Sequence, residues 1–569
     1  MEKSALIHKS DSIYSFPLNE NEIELRLLTK KDDDILKVEL MYNDKYRFHE
    51  KVYLKEIYKK YSDAVYDYYI EIVKLKDLRF AYVFKITTQD HKEYYFSESG
   101  ITTQYDITKG FYDFFQVSYI NELDLVQKSS LIQNRVFYQI FVDRFYKSED
   151  NKNSRINISW GAPVTQHSLA GGNLKGIYQK MNYLKELGID ALYLTPIFES
   201  DSNHKYNIKD YFTIAKDFGN EEDLKALVEE AHQNQMIIVL DGVFNHISKD
   251  NELFLDVMEK GRASTYFHWF FIHGDNLDLK SNNYERFADD LGMPRLNLNH
   301  PEVEEYIIQV CLHYVEEYDI DGLRLDVSDE IPHRFWIRLK EKILQRKKDF
   351  IFIGENWHNA HSFLNSGYEF DSIMNYSITK EVLNYVAWGN YTASEFKNHI
   401  ISNLMRYKSN VNYNMFNLLS SHDVHRFYTE CKKDEDLFLL GYAFIFMHIG
   451  VPCIYYGDEI GLEGNYDPDN RRCFLWEEEQ WNKRIHKKIK GLISIHKKYR
   501  INEMEYSIDV IHEMICLTRQ KEGRVLKLYM NLSEKSHFIK ETEIVLENQY
   551  KDNILYPKGF VIIREEKNS

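Results

Sequence analysis

The sequence predicts an α/β protein. A closed (β/α)₈ (TIM) barrel is preceded by a β-sandwich, interrupted after its third strand by a small inserted subdomain, and followed by an all-β domain. Three observations carry the prediction: short alternating strands at the front, apolar strands separated by helical patterns through the middle, and short strands again at the end. The 569 residues accommodate two to four domains, at roughly 150 residues per domain. With 44% hydrophobic and 28% charged residues, the composition excludes bulk disorder.

In residues 1–125, runs such as IELRLL, ILKVEL, YDYYIEIV and RFAYVFKI alternate polar and apolar positions around charged turns such as KKDDD. That is the pattern of antiparallel strands with one face buried. Residues 126–500 carry eight strand candidates: 136–145, 189–198, 235–246, 320–327, 349–358, 370–376, 414–423 and 453–461. Helical periodicity lies between most of them, as in LKGIYQKMNYLKELG, EEDLKALVEEAHQNQ and PEVEEYIIQVCLHYVEEY. Eight strands with crossover helices are what a closed barrel needs. An open doubly wound sheet would carry a glycine-rich phosphate turn, and none follows any strand. The interval of about 246–295 is too long for a loop and predicts the inserted subdomain. Residues 501–569 return to strand-like runs (VIHEMICLTR, VLKLYMNL, GFVIIRE) and predict the closing β domain.

A formal net charge of −17 argues against a polyanion partner, so no nucleic acid is expected. No run of 18 apolar residues appears and the N-terminus has no secretory apolar core, so no membrane association is expected. Cys311, Cys431, Cys453, Cys473 and Cys516 are odd in number, scattered and without CxxC spacing. They point away from a disulfide framework or zinc site and towards a reducing, cytoplasmic location. Aromatics at 15% suit both core packing and stacking on pyranose faces.

In such barrels the active site forms at the C-terminal ends of the strands. Strand three ends in Asp241, with Asn245 and His246 beyond. Strand four carries Arg324 and Asp326, two apart and so on one face. Strand five ends in Glu355, with Trp357 and His358 beyond, and strand seven in His422 and Asp423. These groups converge on one rim beside Tyr206. A carboxyl pair in this setting is the apparatus of glycoside hydrolysis: one carboxylate attacks the anomeric carbon, the other, protonated, donates to the leaving oxygen. A fixed cation such as Arg324 is expected to keep Asp326 ionised. His246 and His422 are expected to meet sugar hydroxyls.

DGVFNH, DGLRLDV, GENW and SSHD, in that order and at those strand ends, resemble the four conserved regions of the α-amylase family (glycoside hydrolase family 13). The resemblance covers about residues 126–500. It implies Asp326 as nucleophile, Glu355 as general acid/base and Asp423 as transition-state stabiliser. Arg324, His246 and His422 then line the subsite of the attacked glucose, with Tyr206, in HKYNIKDY, as its stacking platform and Asp241 and Asn245 in support. MPRLN (293–297) is similar to the MPKLN signature of the neopullulanase, cyclomaltodextrinase and maltogenic amylase subgroup. DPDNRRCFLW (467–476) resembles a segment whose first Asp and first Arg, here Asp467 and Arg471, bind substrate. Trp357 joins them as a substrate-binding residue. The N-terminal stretch is similar to the subgroup's starch-binding-type sandwich, which mediates homodimerisation and partly covers the partner's active site. The implied substrates are α-glucan oligosaccharides, cyclodextrins and pullulan. The same site run as a transglycosylase, and a non-catalytic sugar-binding protein on this scaffold, are the alternatives.

Two departures from the subgroup stand out. Where it has a calcium-binding DRFxNGDPSND and GGD, this chain has DRFYKSEDNKN and GGN. Asp150, Asn151, Asn153 and Asn173 are the remaining calcium candidates, with Lys147 and Lys152 where oxygens would fall. Ca²⁺ takes roughly six to eight oxygen ligands, so no cofactor is expected to be required. After Asp423, Val424 and His425 replace the usual Thr–Glu, on the acceptor side.

Overall fold

The computed structural model describes residues 1–76, 78–109, 112–126, 128–280, 282–540 and 543–566. The chain folds as two compact units: one comprises residues 1–128, 361–367 and 394–412, the other the remainder.

The first unit is a sandwich of two antiparallel sheets. One runs Ser15–Asn19, Glu22–Lys30, Tyr66–Lys74, Lys59–Ser62; the other runs Tyr53–Ile57, Ile35–Asn43, Phe80–Thr88, Glu93–Ser97, Gly100–Thr102, with Phe115–Val117 added alongside Phe80–Thr88. The alternation read in the sequence is what fills its core. Ile23, Leu25 and Leu27 project inward from one sheet and Val38, Leu40, Tyr82, Phe84 and Ile86 from the other. Arg26, between two of those inward positions, is nonetheless buried. It bonds Glu24 at 2.7 Å, the Tyr407 carbonyl at 2.8 Å and Ser409 Oγ at 3.1 Å, so the 394–412 segment satisfies a charge the sandwich buries.

The second unit contains the barrel. Its strands are Phe137–Ile140, Ala191–Leu194, Ile237–Gly242, Gly322–Leu325, Ile351–Gly354, Ser372–Ile373, Phe416–Asn417 and Val451–Tyr455, one inside or overlapping each expected segment. They pair in parallel in a single eight-stranded sheet. The Met374–Phe416 bridge joins strands six and seven and closes the ring, with Asn375 N–H donating to the Phe416 carbonyl at 2.8 Å. This closure separates a barrel from an open doubly wound sheet. Crossover helices sit where the periodicity placed them, including Pro301–Tyr318 and Glu221–Gln233, the latter entered through an Asn220/Asp223 capping box. The LKGIYQKMNYLKELG helix is split at Lys180 into Leu174–Gln179 and Met181–Leu187.

After strand three the chain leaves the barrel at a bridge between His246 and Arg295. Between those residues it forms the helix Glu252–Lys260 and the bridges Phe270–Leu296 and Ile272–Tyr284, the inserted subdomain. The strands Glu505–Ile511, Met514–Lys521, Arg524–Asn531, Ile554–Glu566, His537–Phe538 and Glu543–Lys551 form one antiparallel sheet in the same compact unit.

Candidate active site

The barrel strands are shorter than the sequence segments because most of the chemistry lies just past their ends. Asp241 is still in strand three and faces Arg324 of strand four as its register partner. Asp326 follows strand four, Glu355 follows strand five, and His422 and Asp423 lie five and six residues beyond Asn417. A strand end frees the backbone from the ladder, so a side chain there is aimed by its own loop.

Arg324 organises the rim. Its Nη1 donates to Asp241 Oδ1 at 2.9 Å and to Asp326 Oδ1 at 2.8 Å. Its Nη2 stands 2.9 Å from Glu355 Oε2 and 3.7 Å from Asp423 Oδ2, without the alignment of a hydrogen bond. Four carboxyl groups thus surround one buried guanidinium. Burial, then the neighbouring Glu355 charge, push Asp326 well above the usual carboxylate range, and Arg324 pulls the other way. Burial and the guanidinium thus act in opposite directions on Asp326: burial favours the neutral acid, and Arg324 at 2.8 Å favours the carboxylate, as the sequence reading expected of a fixed cation. Burial likewise raises Asp241 and Asp423.

Glu355 is aimed from two directions. Trp357 Nε1–H donates to Oε1 at 3.0 Å and the Val327 N–H to Oε2 at 2.9 Å. Val327 does so from a left-handed conformation (φ 46°, ψ 43°), a strain of about 1–2 kcal/mol for a β-branched residue. The Trp357 indole lies flat on Tyr376, centroids 3.9 Å apart and 2° from parallel. Trp357 thus serves the carboxyl as well as lining the cavity.

On the opposite flank Gln139 Nε2 donates to His422 Nδ1 at 2.7 Å. That leaves Nε2–H facing the Tyr206 hydroxyl, which in turn donates to Asp241 Oδ2 at 2.7 Å. Burial pushes His422 well down, so it is neutral and this tautomer is the consistent one. Its ring stacks on Tyr206 at 5.5 Å. His246 is fully buried against Phe287 and has no well-formed hydrogen bond at either ring nitrogen. Burial pushes it down to about 4. The Tyr206 backbone is its polar neighbour, and the ring lines the cavity, where a ligand hydroxyl can meet it.

Tyr206, His246, Asp326, Glu355, Trp357 and Asp423 line a cavity of about 450 Å³, together with Asp467 and Arg471, which pair at 3.1 Å; Asp241, Arg324 and His422 stand behind that lining. Arg471 Nε also donates to the His422 carbonyl at 3.0 Å. Asn245 lies behind the cavity: its carbonyl accepts from Leu296 N–H at 2.9 Å, bracing the inserted subdomain. The sequence reading did not single out His204, Phe287, Met293, Asp329 and Glu330, which also line the cavity. His204 and Met293 open the quoted runs HKYNIKDY and MPRLN, and Asp329 and Glu330 stand just past DGLRLDV; Phe287 carries no such signal.

The calcium candidates are engaged elsewhere. Asn173 Oδ1 accepts from Gly176 N–H at 2.8 Å, Asn151 Oδ1 from Asn153 N–H at 3.1 Å, and Asn153 Oδ1 from Arg155 N–H at 2.9 Å. Asp150 pairs with Lys175. Nearby, the buried Lys205 ammonium donates to Asp217 Oδ2 at 2.6 Å and to the Ser200 carbonyl at 2.8 Å. These oxygens already hold N–H donors, so the residues do not fit a calcium ion. The cations in the way are Lys175, Lys205 and Arg155; Lys147 and Lys152 stand exposed.

A barrel rim that gathers carboxyl groups on one arginine, flanked by neutral imidazoles and flat aromatic faces, defines a glycoside hydrolase. The chain belongs to the α-amylase family: the alpha amylase catalytic domain matches residues 139–512 and the alpha amylase N-terminal ig-like domain matches residues 1–121. It is 37% identical to a cyclomaltodextrinase of Thermoanaerobacter pseudethanolicus over 98% of this chain and 96% of that protein. It is 36% identical to neopullulanase 2 of Thermoactinomyces vulgaris over 86% and 84%. A solved cyclomaltodextrinase superposes with a TM-score of 0.89 at 29% identity, covering 100% of this chain and 98% of that one.

Proposed function

We propose that the protein hydrolyses α-1,4 and also α-1,6 glucosidic bonds in cyclodextrins, pullulan and maltodextrins, with retention of configuration. The observation that carries this reading is the set of acids held around Arg324 at a cavity that also presents the neutral imidazole of His246 and a flat Tyr206–His422 stack. The names of the relatives support the substrate class.

In the mechanism, Glu355 gives its proton to the glycosidic oxygen as the Asp326 carboxylate attacks the anomeric carbon and the C–O bond breaks. The intermediate is a β-glucosyl ester of Asp326. Glu355, now ionised, takes a proton from water, whose oxygen displaces Asp326 and leaves an α-anomer. Asp423, His246 and His422 bind ring hydroxyls most tightly when the ring flattens at the transition state. Arg324 neutralises the charge returned to Asp326 as the ester is hydrolysed. No calcium enters this reading.

The protein works in the cytoplasm as a homodimer through its N-terminal domain. Its five free, buried thiols suit a reducing compartment. Among the described residues, no helix is long and apolar enough to cross a membrane. The exposed Tyr53 and Leu54 on an edge strand of the sandwich offer a contact surface. The test is a product profile on β-cyclodextrin, pullulan and soluble starch in parallel. Faster cleavage of the first two, with maltose or panose released, supports the reading; faster starch cleavage refutes the cyclodextrin and pullulan preference.

A further inference from the structure

The three acids of the site are held in different ways. Asp326 accepts from Arg324 at 2.8 Å, and Glu355 accepts N–H donors from Trp357 and Val327. Asp423 is not held through its carboxyl in that manner. Its Oδ2 is buried without a hydrogen bond, 3.7 Å from Arg324 Nη2, and its Oδ1 stands 3.2 Å from His422 Nε2. The aim of this carboxyl therefore depends on its main chain, and between Asn417 and Phe427 that chain belongs to neither strand nor helix.

The stretch is gathered on a single side chain. Asn470, on the short helical turn Asp469–Arg471, is fully buried and does not line the cavity. Its Nδ2 donates to the carbonyls of His422 and Val424, each at 2.9 Å, and to that of Ser421 at 3.3 Å. The two amide hydrogens thus serve acceptors on both sides of Asp423. Three converging carbonyls admit only the NH2 end, so they fix which way the amide points. Asn470 is anchored in turn. Arg426 Nε donates to its carbonyl at 3.0 Å, while Arg426 Nη1 donates to the buried Asp458 Oδ1 at 2.8 Å.

We propose that Asn470 is a positioning residue for Asp423: its amide holds the main chain on either side of the acid, so that the carboxyl meets the ring hydroxyls as the ring flattens. This rests on the hydrolase reading above. A group misplaced by about 1 Å can cost roughly 10²-fold in rate, and a contact made mainly in the transition state is lost from kcat rather than KM. The experiment measures kcat and KM on β-cyclodextrin, with calorimetric affinities for acarbose and maltose. Acarbose carries a half-chair ring and a bridging amine, which imitate the flattened, charged transition state; maltose is a ground-state ligand.

Asn470→Ala should lower kcat roughly 10- to 100-fold with KM within about twofold of the parent, and should weaken acarbose by a similar factor while sparing maltose. Asn470→Asp keeps the shape but offers at most one hydrogen, and should show the same split. In an Asp423→Asn background, Asn470→Ala should leave acarbose affinity unchanged, because the group it positions is already gone. An unchanged kcat in both variants, equal losses for acarbose and maltose, additive losses in the double variant, or failure of both variants to fold overturns the inference and leaves the hydrolase intact. A parent protein that cleaves no α-glucan overturns the hydrolase reading beneath it.

Discussion

The Asp217 and Arg324 clusters, two of the buried ion clusters in the barrel unit, differ in one respect. Around Asp217 both carboxylate oxygens are taken: Oδ1 accepts from Asn153 at 2.5 Å, and Oδ2 from Arg155 at 2.8 Å and Lys205 at 2.6 Å. Around Arg324, Nη2 and one oxygen of Asp423 are buried without a well-aligned hydrogen bond, and the cluster borders the cavity lined by Asp326, Glu355, Asp423 and His246. Leaving buried polar groups unmatched costs about 1–3 kcal/mol each, a cost that a ligand in that cavity can offset. The Asp217 cluster is fully satisfied; the Arg324 cluster is the unsatisfied one.

The largest effect should come from the unsatisfied cluster. Asp326→Asn or Glu355→Gln should lower hydrolysis by about 10³-fold or more while leaving the thermal midpoint near that of the parent. Substantial residual turnover in either would break the comparison on its catalytic side. Lys205→Met should do the reverse, destabilising by about 1–3 kcal/mol because Asp217 keeps Arg155 and Asn153 but loses its buried ammonium donor, with kcat per folded molecule retained. Denaturant unfolding beside active-site titration reads both; a variant that kept its stability and lost kcat would move Lys205 into the catalytic set.

A smaller effect concerns acid. His246 is held neutral, with its folded value down at about 4 against 6.5 when free. Between those values the unfolded chain binds the proton and the folded one does not. The stability contributed is therefore complete above pH 6.5 and lost as the pH falls towards 4. His246→Gln should flatten that acid limb in a stability–pH series; a limb of unchanged slope would mean His246 already has a protein partner. The smallest effect expected is none. A chelator should leave both the cleavage rate and the unfolding temperature unchanged, because the candidate oxygens of Asp150, Asn151, Asn153 and Asn173 already hold N–H or ammonium donors. A chelator-induced drop in either would restore the metal.

The legible part of the site was ionic. Asp241, Arg324, Asp326, Glu355, His422 and Asp423 announce themselves as charged or imidazole residues directly after apolar runs, and strand ends are where a barrel presents them. Val327 was not legible, because nothing in a valine predicts a left-handed backbone; the conformation exists to point its N–H at Glu355. Gln139 was not legible either, since its partner His422 is 283 residues away. The recruitment of residues 361–367 and 394–412 into the sandwich unit left no trace in their own helical pattern. For residues 394–412 the burial of Arg26 supplies the reason: its guanidinium takes the Tyr407 carbonyl and Ser409 Oγ.

The sequence by itself determined the order of strands and helices, the closed-barrel class and the identity of the acids, because periodicity and strand-end chemistry are local and survive in one dimension. Only the tertiary structure decided which buried polar atoms are matched and which are not, and that Asp150, Asn151, Asn153 and Asn173 are engaged by N–H and ammonium donors. Those outcomes depend on distances of a few ångströms between residues far apart in the chain, and no local pattern encodes such a distance.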